Sequence, residues 1–99
     1  MTGYNDGMIV SIEHKGLADL HWKDQSKGVM QSLVKRLKQI LALLETARTI
    51  DDMNLPGLKL HSLKGDMKGF YSVSISGNWR VVFRFGDGNA FDVNLVDYH

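Results

Sequence analysis

Between Leu60 and His99 the chain gathers side chains that could together handle a phosphodiester: His61, Lys64, Arg80 and the run Asp97-Tyr98-His99. Histidine titrates near neutrality and can take or give a proton. Lysine and arginine stabilise charge on phosphate oxygens. Attack by a ribose 2′-hydroxyl on the adjacent phosphorus needs a base, an acid and such cations, and no metal. Each residue also has an ordinary reading. His61 near a turn can be a polar surface residue, and Lys64 beside Gly65-Asp66 a solvated lysine. Terminal residues fray. Arg80 and Arg84 can pair with Asp92 or Asp97 across a strand, for about 0–1 kcal/mol if exposed.

The other chemical candidates are weaker. His14 and His21 lie seven residues apart across an expected strand-to-helix boundary. Zinc sites draw ligands at tighter spacing, so both histidines read as structural or surface. No phosphate-loop glycine pattern occurs, and there is no cysteine for a disulfide, a thiolate nucleophile or a thiolate metal site. No cofactor is expected. Trp22 and Trp79 read as core anchors rather than base-stacking platforms.

These residues need a scaffold, and hydropathy supplies one. Gly69–Ser76 alternates Tyr71, Val73 and Ile75 against Ser72, Ser74 and Ser76. Gly77-Asn78 is a tight turn. Trp79–Phe85 sets Trp79, Val81, Phe83 and Phe85 against Arg80 and Arg84, Gly86-Asp87-Gly88 signals a hairpin, and Asn89–Val96 turns Phe91, Val93 and Leu95 inward. Lys59–Leu63 is an optional edge strand. Upstream, Met8–His14 suits a short strand and Lys15–Lys23 a short helix. Val29–Ala47 is the clearest helix, with Val29, Leu33, Val34, Leu37, Ile40, Leu41 and Leu44 in one stripe and Ser26 as N-cap. Thr49–Asn54 could add one further turn before Pro56-Gly57.

The expected architecture is α+β, in the order β-α-α-β-β-β with an optional extra strand. Two N-terminal helices cover one face of a twisted antiparallel sheet. The other face, carrying Ser72, Ser74, Ser76, Arg80 and Arg84, is open to a partner or substrate.

Composition agrees with a small globular domain. Hydrophobic residues make up 43% and charged residues 23% of 99 positions. Net charge is +1, which alone argues weakly for nucleic acid. The charge is segregated, however: His14 to Arg48 holds seven Lys/Arg and three Asp/Glu, and Lys59 to Arg84 holds five and one. Segregated charge can fold into a basic patch; it can equally be a solvated helix face and strand-edge lysines. No apolar run is long enough to span a membrane, and the polar start MTGYNDG is no signal peptide. Residues 1–7 are expected to form a flexible leader, with Met8 an alternative start, and residues 8–99 one domain. The cytoplasm is the expected compartment.

Several motifs, taken together in order, resemble one family. They are I-x-H-K-G-L-x-x-L at Ile12–Leu20, L-H-x-L-K-G-D at Leu60–Asp66, G-F-Y-S-V at Gly69–Val73, N-W-R at Asn78–Arg80 and D-Y-H at Asp97–His99. The chain resembles the HigB toxins of the RelE/ParE toxin–antitoxin superfamily from Met8 to its last residue. The resemblance implies two helices on a twisted antiparallel sheet. It implies a ribosome-dependent endoribonuclease that cuts mRNA in the A site of the 70S ribosome and so inhibits translation. Carried over by motif, the catalytic residues are His61, Lys64, Asp97, Tyr98 and His99. Arg80 is the implied phosphate binder, with Arg84 and Lys68 as further RNA contacts. One of His61 and His99 serves as base and the other assists the leaving 5′-oxygen. Asp97 orients or ionises a histidine, and Tyr98 stacks on or holds the nucleotide. The implied partner is a HigA-like helix-turn-helix antitoxin, through which alone the toxin meets operator DNA.

Two positions depart from the pattern. Ser62 stands where the family motif has proline, implying a less rigid loop around His61. Ser76 stands where some relatives carry arginine, implying one phosphate contact fewer, which Arg84 could replace from the same strand face. Two competing functions share this fold: ParE-like inhibition of DNA gyrase, and an inactive toxin acting only as an antitoxin-bound co-repressor. The paired histidines favour the nuclease over gyrase inhibition; fold alone cannot choose.

Overall fold

The computed structural model describes residues 8–97. Its elements are β1 (Met8–Ile9), α1 (Lys15–Lys23), α2 (Val34–Thr46), β2 (His61–Ser62), β3 (Phe70–Ser76), β4 (Trp79–Gly86) and β5 (Asn89–Asp97). Short 3-10 turns stand at Gln31–Leu33, Ile50–Met53 and Gly65–Met67. The five strands form one sheet in the order β1-β5-β4-β3-β2. Strands β2 to β5 are antiparallel to their neighbours, as the tight turns require. β1 is the exception: it runs parallel to β5, pairing Met8 with Asn89 and Ile9 with Ala90. A parallel bridge between Ile12 and Val93 extends the contact. The expected strand over Met8–His14 is thus only partly regular.

One core lies between the helices and one sheet face. Leu17 and Leu20 come from α1, and Leu37, Ile40, Leu41 and Leu44 from α2. Val73, Ile75, Val81, Phe83, Ala90, Val93 and Leu95 meet them from the sheet. Trp79 and Phe85 pack against its edge, as their alternation predicts. Trp22 does not. It is 53% exposed, so it is not a core anchor. At 3.6 residues per turn it sits about 200° round α1 from Leu20, away from the sheet.

The motif at Ile12–Leu20 turns out to be architectural. His14 Nδ1 accepts from the Leu17 amide at 3.1 Å and caps α1. Gly16 packs against Gly28: a Cβ on Gly16 would lie 2.1 Å from the Gly28 carbonyl oxygen. This crossing keeps residues 24–30 out of the helix. α2 therefore starts at Val34 behind a 3-10 turn, not at Val29, and Ser26 is not its N-cap. Instead the Ser26 carbonyl accepts from the Val29 amide and from Gln31 Nε2. His21 Nε2 lies 2.5 Å from Glu45 Oε2, and Glu45 Oε1 accepts from the Ile9 amide at 3.1 Å. One carboxylate thereby ties α1, α2 and β1 together. The expected turn near Thr49–Asn54 is the Ile50–Met53 turn, closed by a capping box between Thr49 and Asp52. The Arg48 and Thr49 amides donate to the Asp52 carboxylate and hold it below the usual carboxylate range.

Candidate active site on the open sheet face

The face of the sheet away from the helices is organised by register. His61, Ser72, Val82 and Asn94 are successive cross-strand partners on β2, β3, β4 and β5, so their side chains form one row. Ser74, Arg80 and Val96 form the next row toward the Gly77-Asn78 turn. Phe70, Arg84 and Phe91 form the row on the other side. The face is less polar than alternation suggests, because Ser72 and Val82 are each only 2% exposed.

β5 contains the main departure. Val82 pairs with Asn94 but Arg84 pairs with Phe91, so Asp92 and Val93 together oppose Phe83. Asp92 adopts φ 54° at this bulge, and its amide is satisfied by Ser11 Oγ at 2.8 Å. The extra residue switches the alternation. Val93 and Leu95 point inward as expected, but Phe91 points outward beside Arg84. The Arg84 guanidinium lies 5.3 Å from the Phe91 ring centre and 5.7 Å from that of Phe70. It also stands 3.7 Å from the Asp92 carboxylate.

β2 is the optional edge strand, reduced to two residues. It presents an exposed His61 whose Nδ1 lies 3.2 Å from the Lys59 carbonyl oxygen. A carbonyl only accepts, so in the neutral ring the proton sits on Nδ1 and the Nε2 lone pair faces outward. Ser62, at the position of the family proline, pairs with Tyr71 in the strand ladder. Lys64 then opens the Gly65–Met67 turn, where its carbonyl accepts from the Met67 amide. Gly65 holds φ 66°, a conformation that favours glycine, which is why K-G-D suits this corner. Lys64 and Lys68 are exposed and make no ion pair among the described residues.

Arg80 folds back along the hairpin, Nη1 donating to the Gly77 carbonyl at 2.9 Å and the Trp79 carbonyl at 3.2 Å. Its other guanidinium N–H groups make no hydrogen bond among the described residues. Asp97 is exposed at the end of β5 and pairs with Trp79, so register puts it on the helix-side parity rather than in the His61 or Arg80 rows. Tyr98 and His99 lie outside the described residues. The structure thus brings His61, Arg80 and Arg84 onto one face, with Lys64 and Lys68 on the loop that follows β2. Asn94 escaped sequence reasoning, although its alternation with Val93 and Leu95 already placed it outward. Among the described residues no three His, Cys, Asp or Glu side chains gather as metal ligands would. No helix among them is long and apolar enough to cross a membrane.

Residues 10–99 match the HigB-like toxin family, described as the RelE-like toxin of the type II toxin-antitoxin system HigB. The chain is also 41% identical to the Endoribonuclease HigB of Proteus vulgaris, over 93% of this chain and 100% of that protein.

This chain belongs to the HigB-like toxins.

It is 26% identical to Toxin HigB-1 of Vibrio cholerae, over 89% of this chain and 95% of that one. The fold recurs at lower identity. The YoeB dimer structure from Staphylococcus aureus superposes with a TM-score of 0.59 at 21% identity, over 95% of this chain and 98% of that one. YafQ from E. coli strain BL21(DE3) gives 0.57 at 14% identity, over 95% and 93%. Both bear on the toxin's α+β fold alone.

Proposed function

We propose that this toxin is an endoribonuclease that cuts mRNA in the ribosomal A site, using the open sheet face. The observation that carries the reading is His61: an exposed imidazole held by the Lys59 carbonyl so that Nε2 is the basic nitrogen. The 41% identical relative named an endoribonuclease supports the same chemistry. In the proposed reaction His61 Nε2 takes the proton of the 2′-hydroxyl. The O2′–P bond forms, the P–O5′ bond breaks, and an acid, assigned to His99, protonates the leaving O5′. The products are a 2′,3′-cyclic phosphate and a 5′-hydroxyl, with no metal in the step. Arg80 and Lys64 stabilise the charge on the non-bridging oxygens. Tyr98 is assigned to hold the nucleotide, and Asp97, whose register sets it off the His61 row, to orient His99 rather than His61. Lys68 and Arg84 extend the phosphate-binding surface, Arg84 less than its charge suggests because Asp92 already faces it.

A HigA-like antitoxin is the proposed neutralising partner and the route to operator DNA, with the toxin acting in the cytoplasm. The test is cleavage of mRNA on programmed ribosomes by wild type, His61→Gln and His99→Ala, with the cut site mapped. Losing a general base or acid slows cleavage by about 10²–10⁴-fold. Cutting in the A-site codon, reduced to that degree in both variants, is expected. Cutting at the wild-type rate by His61→Gln overturns the base assignment. No cutting by wild type, with inhibited supercoiling by gyrase instead, overturns the nuclease reading.

A further inference from the structure

Just before His61, Lys59 holds φ 52°, in the left-handed region that lysine rarely enters. We infer that Lys59 is a positioning residue for His61, acting through its backbone and not through its amine. Its left-handed turn releases the carbonyl that holds the His61 ring. The inference rests on the nuclease reading and deepens it by naming what prepares the base.

Strand register shows what the turn does. His61 pairs with Ser72 and Ser62 with Tyr71, and the Leu63 amide continues the ladder to the Phe70 carbonyl at 2.9 Å. Extended backward, that register sets Leu60 opposite Val73 and Lys59 opposite Ser74, with the Ser74 amide donating to the Lys59 carbonyl. The Ser74 amide donates instead to the Leu58 carbonyl, at 2.7 Å. Lys59 and Leu60 therefore stand together against Val73 alone, which is the count of a β-bulge. In one class of bulge a left-handed residue, ordinarily glycine, absorbs the extra length, and Lys59 holds that conformation here.

The carbonyl left out of the ladder is the one that lies 3.2 Å from His61 Nδ1. In a regular strand it would accept from Ser74, and the neutral ring could carry its proton on either nitrogen. The strained residue is held from both sides. Leu58 is buried, and Leu60 packs against the core. Arg36 Nη2 donates to the Gly57 carbonyl at 3.1 Å, which fixes the chain just before the bulge. The Lys59 side chain is exposed and makes no hydrogen bond or ion pair among the described residues. Nothing in the arrangement needs its ammonium.

The experiment compares wild type with Lys59→Gly and Lys59→Val. Both substitutions remove the ammonium, but glycine keeps the left-handed turn and β-branched valine is excluded from it. One readout is the nitrogen NMR shifts of the His61 ring without RNA, at about pH 8, where an ordinary imidazole is neutral. His14, whose Nδ1 accepts from the Leu17 amide, supplies the opposite tautomer as a reference in the same spectrum. The other readout is single-turnover cleavage on programmed ribosomes, beside ribosome binding. Lys59→Gly should keep the proton on Nδ1 and cleave at the wild-type rate. Lys59→Val should lose that fixed proton and cleave about 10–10²-fold more slowly, with binding unchanged. Lys59→Thr, also β-branched, takes its place if the valine protein fails to fold. Equal losses in the glycine and valine proteins assign the effect to the amine and overturn the inference. So does a valine protein with the proton still on Nδ1, or one whose ring signals move while cleavage does not. A wild type that cuts no message overturns the nuclease reading, and the part of the bulge in it, whatever the ring signals show.

Discussion

Gly16→Ala opposes two effects of known sign, and the structure says which wins. Gly16 is the second residue of α1, and glycine in a helix interior costs about 1 kcal/mol relative to alanine. Propensity alone therefore predicts a more stable protein. Packing predicts the reverse. The new Cβ would sit 2.1 Å from the Gly28 carbonyl oxygen and 2.6 Å from its carbonyl carbon, both backbone atoms that no rotamer change can move. Relief requires the 24–30 segment to shift by about 1 Å, and overpacking of this kind costs about 1–3 kcal/mol, the upper end where backbone must move. Leu17, fully buried beside it, moves with any tilt of α1. The net expectation is a loss of about 2 kcal/mol, or a Tm lowered by about 8–16 °C in a chain of this size. Urea unfolding followed by circular dichroism measures it, with an unchanged m-value showing that the two states compared are the same. Gly28→Ala should fall in the same direction, because its Cβ would lie 2.6 Å from Gly16 Cα. A Gly16→Ala protein as stable as wild type, or more stable, refutes the crossing.

Other expectations follow from single contacts. His14→Ala removes the cap on α1 and should cost about 1 kcal/mol, read in the same urea titration. Asp52 is held below its ordinary pKa by two backbone amides, so the unfolded chain binds its proton first as pH falls. The stability it contributes is present above the unfolded value and disappears as pH drops through the folded one. Asp52→Asn should thus differ from wild type at neutral pH and converge with it below about pH 4, in acid unfolding curves. Arg80→Ala should slow mRNA cleavage by about 10²-fold with stability nearly unchanged, while Arg84→Ala should lose more stability than activity, because its guanidinium is engaged by Phe70, Phe91 and Asp92.

The sheet was legible where local alternation dominates. Val73, Val81, Phe83 and Leu95 declared the core face, and Arg80 and Arg84 the opposite one, because a strand has only two sides. Reading failed where a distant residue sets the geometry. Phe91 faces outward because of a bulge whose Asp92 amide, free of the strand ladder, is answered by Ser11, 81 positions earlier. The start of α2 is delayed by a glycine crossing, not by any weakness in its own stripe. Trp22 is exposed because its angle around α1, not its aromatic character, decides which way it faces. Of the candidate face, alternation set Arg80 and Arg84 outward, while residue type and the family resemblance at Leu60–Asp66 singled out His61 and Lys64. The row that sets Asn94 across the sheet from His61 needed cross-strand register, which no single segment contains.

The parallel pairing of β1 with β5 also constrains the order of assembly. Ile9 is made among the first residues of the fold and Ala90 among the last, yet each completes the other's ladder. Contacts of such sequence separation form late, after the entropy of closing nearly the whole chain into a loop has been met. A growing polypeptide can form α1, α2 and the β3–β4 hairpin locally, but its sheet stays open until β5 has emerged. Synthesis therefore delivers the His61 face as an incomplete surface up to the final strand, and a message truncated before Asn89 yields a chain with neither a closed sheet nor the Asn94 end of the His61 row.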